Sequence, residues 1–369
     1  MIPPRSPRRT LALLISLAAA ICACAEEPVE PAPSPLASAA DREAPQELSA
    51  WGFFEGPMAA QRPAAGVLPY QVAAPLWADH AEKGRFLLLP PGQGAIMGED
   101  EGWVWPLGTI FIKTFFFDLD RRDAQQGEAR IVETRLLRVE EEGLKSYIYV
   151  WDEAQLEATL KKTGERVQIA HVDEDGQAAE QLYLVPNTEE CNNCHEIDDE
   201  LFALGLTVSQ LNRPVEREGQ QVNQLQWLAD QGAITNLDTS PEQLVALPDP
   251  FDPASGDLDS RARAYLHGNC GHCHREGGGG GRSGLRLVWS EDRDRRVGVC
   301  KGPVAAGSGS GGRTADIVPG RPDQSIFIFR MGSTDPEIKM PELPNLLPDD
   351  AGIALITEWI SKMQPEGCP

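Results

Sequence analysis

Two short stretches constrain this chain of 369 residues more than anything else in it: Cys191-Asn-Asn-Cys194-His195 and Cys270-Gly-His-Cys273-His274. Each sets two thiols three residues apart, so both lie on one side of a single turn, with a histidine at the next position. Cys-x-x-Cys-His is the pattern of covalent haem attachment. The thiols reach the two vinyl groups along one porphyrin edge, and the histidine swings under the ring to give the iron a nitrogen. Two alternatives compete. A structural zinc takes four nitrogen or sulfur ligands, which four cysteines can supply, but both following histidines are then coincidences. A thioredoxin-like redox pair needs a βαβ context that the pattern around these motifs lacks. The expectation is two covalently bound c-type haems, with thioethers at Cys191, Cys194, Cys270 and Cys273 and axial histidines His195 and His274.

The first residues bear on compartment, and haem of this kind is attached outside the bacterial cytoplasm. Arg5, Arg8 and Arg9 precede the apolar run from Leu11 to Ile21, which is too short to span a bilayer permanently and reads as a secretory signal over residues 1–23. Ile21-Cys22-Ala23-Cys24 resembles a bacterial lipobox, with Cys24 as the lipidated residue; Cys22 is the poorer candidate because bulky Ile21 precedes it. A plain cleaved signal is the alternative. The resulting location is the bacterial cell envelope: periplasm-facing, anchored by an N-terminal lipid, at the outer membrane in preference to the inner. Of 8 cysteines, the leader removes Cys22, Cys24 is acylated and four serve the motifs. Cys300 and Cys368 remain, and in an oxidising compartment they are expected to form a disulfide.

The formal charge is −23, and it falls to −26 once the three leader arginines, with no acid among them, are removed. Such a balance argues against nucleic acid as a partner and favours redox partner proteins with basic docking surfaces, drawn in by long-range steering.

Residues 24–50 are rich in Ala, Pro and Glu and read as a flexible tether. From residue 51 to 185 the texture turns to β, with strand-like runs at Arg85–Leu89, Thr109–Phe117, Ala129–Val139, Lys145–Trp151, Glu165–Ala170 and Gln181–Val185 between turn residues. A sandwich-like domain is expected there. Residues 186–250 carry the first motif with helical texture after it, and Pro248, Pro250 and Pro253 break the chain before residues 251–369. In that last part, Asp257 or Asp259 can cap a helix placing Leu258, Ala262, Tyr265 and Leu266 on one face. Ser325–Met331 suggests a short helix, and Ile353, Ile356, Trp359, Ile360 and Met363 recur at helical spacing behind a cap at Asp349 or Asp350. The expected fold class is multidomain: an N-terminal β-rich, sandwich-like domain, a mainly α-helical haem-binding segment, and an α-helical C-terminal haem domain.

Three methionines follow His274. Met363 falls on an apolar stripe and Met331 beside Phe327 and Ile328, both packing positions; Met340 lies in Ile-Lys-Met340-Pro-Glu-Leu-Pro, a loop stiffened by prolines. Helix, Cys-x-x-Cys-His, long loop, methionine loop and final helix resemble, in that order, a class I cytochrome c domain, and the resemblance makes Met340 the second axial ligand of that haem. A thioether opposite an imidazole favours ferrous iron and raises the reduction potential. For the first haem no such position stands out; His80, His171, His267, Met58 and Met97 are the candidates, His272 lies badly placed between its cysteines, and an open position is the further alternative.

Ala74-Pro-Leu-Trp-Ala-Asp-His-Ala-Glu-Lys-Gly-Arg-Phe86, Pro106–Phe115, Leu204–Arg213 and Arg263–His274 together resemble a largely uncharacterised family of bacterial di-haem lipoproteins, from about residue 50 to the end. The resemblance implies organisation, haem count and location more than a reaction. The leading function is electron transfer between exported partners, with no catalytic residue. The alternatives are a peroxidase-like di-haem enzyme with an open first haem, or an electron relay for an exported dehydrogenase.

Overall fold

The structure, a computed structural model, describes residues 43–98, 102–122, 128–197, 200–304, 306–342, 345–364 and 367–368, with the backbone alone at 191–194, 196–197 and 200–201. Cys22, Cys24 and the leader lie outside the described residues, as does the tether up to residue 42. All of the described residues belong to one compact unit.

Its centre is a sheet. The short β1 (Val67–Pro69) and β2 (Glu82–Leu88) are followed by a minimal hairpin, β3 (Ile96–Met97) and β4 (Trp103–Val104). The long strands β5 (Ile110–Asp118), β6 (Ala129–Glu140) and β7 (Gly143–Trp151) come next, then β8 (Ala158–Lys161). Strands β1, β2, β5, β6, β7 and β8 pair antiparallel in that order into one six-stranded sheet, with a register shift between Phe115 and Phe116.

The near-continuous apolar run of β5 follows from burial of both faces, since side chains alternate across a strand. Ile110 and Ile112, with Phe86, Leu136 and Tyr149, meet Leu48, Trp51 and Phe53 on one side. Trp51 Nε1–H donates to the Tyr149 hydroxyl at 2.8 Å, and that hydroxyl donates to Pro45 O at 2.7 Å. Leu48, read from the sequence as tether, is therefore buried core. On the other side Phe115, Phe117, Ile148 and Val150 pack against the hairpin β9 (Glu165–Val172) and β10 (Ala178–Val185) through Ile169, Tyr183 and Val185.

The expected fold class is overturned beyond this point. Strand accounts for 27% and helix for 23%, so the chain is β-rich and its later parts are not mainly α-helical. Residues 186–250 hold α1 (Thr188–His195), the two-residue strands β11 (Glu196–Ile197) and β12 (Glu200–Leu201), and α2 (Val208–Leu211). A further hairpin, β13 (Pro214–Arg217) with β14 (Gln220–Asn223), and α3 (Gln224–Asp230) complete the described part of it. After residue 250, α4 (Leu258–Asn269) and α7 (Asp350–Lys362) are the only described helices longer than six residues; α5 (Asp294–Val297) and α6 (Ile326–Met331) are one-turn pieces. Glycine explains much of the difference. The runs at 277–284 and 307–312 place Gly277, Gly284, Gly307, Gly311 and Gly312 at positive φ, where helices stop. Among the described residues, the segment expected as an α-helical class I cytochrome c domain is thus loop joined by four α-helices and three short 3-10 turns.

The two long helices form where sequence signals coincide. The Asp257 carboxylate caps α4 by accepting Ser260 N–H at 2.8 Å, and the Asp349 carboxylate caps α7 by accepting Gly352 N–H at 3.0 Å. Their apolar stripes meet as one core of Ala262, Tyr265, Leu266, Leu355, Ile356, Trp359 and Ile360. Cys300 and Cys368 are joined by a disulfide that ties the loop after α5 to the C-terminus. Among the described residues no helix is long and apolar enough to cross a membrane.

Candidate functional site

The end of α4 delivers the second motif to a cavity of about 310 Å³, within the low end of the range for cofactor and ligand sites. Cys270, Cys273 and His274 line it, and so do Met340 and Met331. The sequence assigned Met331 to packing; it touches the core and also reaches the cavity, so two thioethers face this space.

The position of Met340 is set by its loop. Met340 N–H donates to Arg330 O at 3.1 Å, Arg330 Nε–H donates to Ile338 O at 2.7 Å, and the buried Lys339 ammonium donates to Pro341 O at 2.9 Å and to Glu342 O.

His274 is held in one tautomer. The Ser283 hydroxyl donates its single proton to Gly280 O at 2.7 Å, and the same oxygen accepts Leu285 N–H at 3.2 Å. His274 Nδ1 lies 3.0 Å from that oxygen and must be the donor, because the serine has no second proton. The lone pair is then on Nε2, the arrangement of a metal-ligating imidazole whose other nitrogen is anchored. Burial, with help from His272, Arg330 and Lys301, brings the His274 pKa down to about 4, so the ring is neutral near pH 7. Glycine at 280 is required here: a Cβ would stand 2.9 Å from His274 Nδ1.

The thiol chemistry argues against a redox pair. Burial, reinforced by the Asp349 carboxylate, pushes the Cys270 thiol up to about 12, whereas exchange-active cysteines have depressed values. A thiol destined for a thioether has no need of that activation. His272 is 8% exposed and lines the same cavity, with its Nδ1 buried and without a hydrogen-bond partner among the described residues.

The wall of this cavity is built partly by the β region. Trp77 N–H donates to Asn269 Oδ1 at 2.7 Å, Asn269 Nδ2 donates to Pro75 O at 3.2 Å, and Trp77 Nε1–H donates to Leu347 O at 3.2 Å. The Asp79 carboxylate accepts the N–H groups of Leu346 and Leu347 at 2.7 and 2.9 Å. Sequence reasoning assigned no site role to Trp77, Asp79, Asn269 or Ser283. The first three sit inside blocks on which the family resemblance rested, and Ser283 inside the glycine-rich loop.

The first motif forms α1, capped reciprocally: Asn187 Oδ1 accepts Glu190 N–H and Glu190 Oε2 accepts Asn187 N–H, both at 2.8 Å. The side chains of Cys191 and Cys194 lie outside the described residues. His195 is described, and its Nδ1 lies 2.9 Å from Phe202 O. A carbonyl only accepts, so Nδ1 carries a proton. Tyr70, Lys113 and Arg135 line a small cavity of about 40 Å³ beside it.

None of the five residues weighed as its second ligand is among the described residues lining that cavity. His80 is exposed against Trp77, His171 is buried with Nδ1 3.2 Å from Ile169 O, and His267 accepts Trp289 N–H at 3.1 Å. Met58 and Met97 pack against core clusters on either side of the sheet.

The donor set at the second motif fits a haem: two thiols, an Nε2 lone pair and two thioethers line one cavity. Comparison with family models, with curated proteins and with solved structures gives no match for this chain.

Proposed function

We propose that the protein is an exported, lipid-anchored c-type cytochrome with two covalently bound haems that passes single electrons between partner proteins of the cell envelope. Cys270 and Cys273 would hold one haem by thioethers, His274 and Met340 would ligate its iron, and Cys191, Cys194 and His195 would hold the other. Bound there, haem supplies one-electron chemistry, and the chain sets its burial, orientation and potential. Cys24 would carry the lipid, and the acidic surface would meet basic partners.

The observation that carries this reading is the convergence of Cys270, Cys273, His274 and Met340 on one cavity, with the His274 tautomer fixed so that the lone pair is on Nε2. The high thiol pKa at Cys270 supports attachment over disulfide exchange.

The test is the mass and visible spectrum of the exported chain. Two added haems per polypeptide support the proposal; zinc in their place, or no added group, overturns it. In the haem-loaded protein Met340→Ala should abolish the thioether–iron charge-transfer band and lower one midpoint potential. A band that survives Met340→Ala but vanishes in Met331→Ala transfers the ligand role to Met331.

A further inference from the structure

We propose that Arg330 is a positioning residue of the second site, pinning the Met340 loop by main chain and side chain together while its charge raises the reduction potential of the iron that Met340 ligates. The inference rests on the haem reading of the second motif alone and adds a residue that acts on both axial ligands of that iron.

The brace is a pair of hydrogen bonds two residues apart. Arg330 O accepts Met340 N–H at 3.1 Å, and Arg330 Nε–H donates to Ile338 O at 2.7 Å. Arg330 O also accepts Ser333 N–H at 3.3 Å, so the turn after α6 and the methionine loop share one acceptor. The guanidinium is held in place by the glycine-rich loop: a Cβ at the buried Gly309 would stand 3.3 Å from Arg330 Cζ. Two hydrogen bonds, one of them charge-assisted, therefore hold the backbone on either side of Lys339 and fix where the Met340 side chain starts.

Charge gives the same residue a second effect. The Arg330 guanidinium has no ion-pair partner among the described residues. Burial lowers its pKa, Glu342 and Asp316 act in the opposite sense, and the Asp316 carboxylate is already bound to Lys301 Nζ at 2.9 Å. After burial and His272, Arg330 is the next charge that depresses His274, ahead of Lys301. An ion pair offsets Lys301, and none offsets Arg330. Reduction lowers the positive charge of the centre by one, so this half-buried guanidinium, weakly screened by salt, favours the reduced state. A thioether kept on the iron works in the same direction.

Two substitutions separate the effects in full-length, haem-loaded protein, with haem content measured on each sample. Glutamine sets its amide nitrogen as many bonds from the backbone as Nε, so Arg330→Gln keeps a donor for Ile338 O and removes the charge. Lysine puts a methylene in that place, so Arg330→Lys keeps the charge and removes the donor. The midpoint followed is that of the site identified by Met340→Ala, and added imidazole, a competing ligand, measures how firmly the thioether is held. Arg330→Gln should keep the thioether–iron band and lower that midpoint by at least about threefold in the reduction equilibrium, which is about 30 mV for a one-electron couple. Arg330→Lys should keep the midpoint, but with one hydrogen bond gone imidazole should displace the thioether at a concentration at least about threefold lower than in the wild type. A lost band or an unchanged midpoint in Arg330→Gln, or an unchanged imidazole response in Arg330→Lys, overturns the inference and leaves the haem reading standing. A band that survives Met340→Ala does the same, because the braced residue is then not the ligand. If the second motif carries no haem, the inference and the reading beneath it fall together.

Discussion

The carboxylate of Asp79 accepts the backbone N–H of Leu347 at 2.9 Å across 268 positions of sequence, and it takes Leu346 N–H with its other oxygen at 2.7 Å. A residue at the edge of the β region thereby holds the loop that closes the Met340 side of the cavity. Asp79 is 2% exposed and sits at a φ of 51°, where asparagine is tolerated as readily as aspartate. Asp79→Asn isolates the hydrogen bonds from backbone strain: one amide oxygen remains, and an NH₂ group replaces the second acceptor against a buried N–H. The expected loss is about 1–3 kcal/mol. Urea unfolding should show a lower midpoint at unchanged slope, and an unaltered midpoint would remove the clamp from the account.

Gly352 carries a prediction whose sign runs against helix propensity. It sits in the first turn of α7, where alanine would normally add about 1 kcal/mol. A Cβ there would stand 2.1 Å from the Tyr265 hydroxyl oxygen, and that hydroxyl is fixed by donation to Asp349 Oδ2 at 2.9 Å. Gly352→Ala should therefore destabilise the protein by about 1–3 kcal/mol through overpacking. Tyr265→Phe, which removes the hydrogen bond without adding volume, should cost about 1 kcal/mol. Thermal unfolding of the two variants separates the effects, and a stabilised Gly352→Ala would show that α4 and α7 are not packed this tightly.

The disulfide between Cys300 and Cys368 closes a separation of 68 residues. Chain entropy alone gives such a crosslink about 4 kcal/mol. Replacing both cysteines by serine should lower stability by an amount of that order. Thiol labelling of the folded wild type should find neither sulfur reactive; two labelled thiols would contradict the bond.

How much was legible beforehand differs along the chain. The strands β2, β5, β6, β7, β9 and β10 were readable because β-branched and aromatic runs between turn residues are a local signal. The caps of α4 and α7 were readable for the same reason. The hairpin of β13 and β14 was not, since its turn sets Glu218 at a φ of 51° before Gly219, and glutamate gives none of the Asn-Gly cue for such a turn. The motif residues of the site were legible from spacing alone. Its supports were not. Ser283 acts through a proton count that only coordinates reveal, and Trp77 and Asp79 act across nearly the whole chain. Helical texture also misled: cap and stripe signals at either end of residues 251–369 do not report the glycine-rich loops between them.

His267 should make stability depend on pH over a defined window. It lies on α4, its Nδ1 accepts Trp289 N–H at 3.1 Å, and burial, with the charges of Arg275 and His272 added, lowers its pKa to about 4. The unfolded chain restores the ordinary value of about 6.5. Between those two values the unfolded state binds the proton and the folded state does not, so stability falls as pH drops from about 6.5 to about 4 and then levels off. Above the window the contribution is fully present. His267→Asn offers an amide oxygen near the place of Nδ1 and does not titrate. The difference in urea midpoint between wild type and His267→Asn should therefore be constant above pH 7 and should move steadily against the wild type as the pH is taken down to 4. Carboxylates that titrate in the same range cancel, because both proteins carry them. A difference independent of pH would mean that the folded ring takes up its proton as readily as the unfolded one, and that the end of α4 is more open to water than its packing implies.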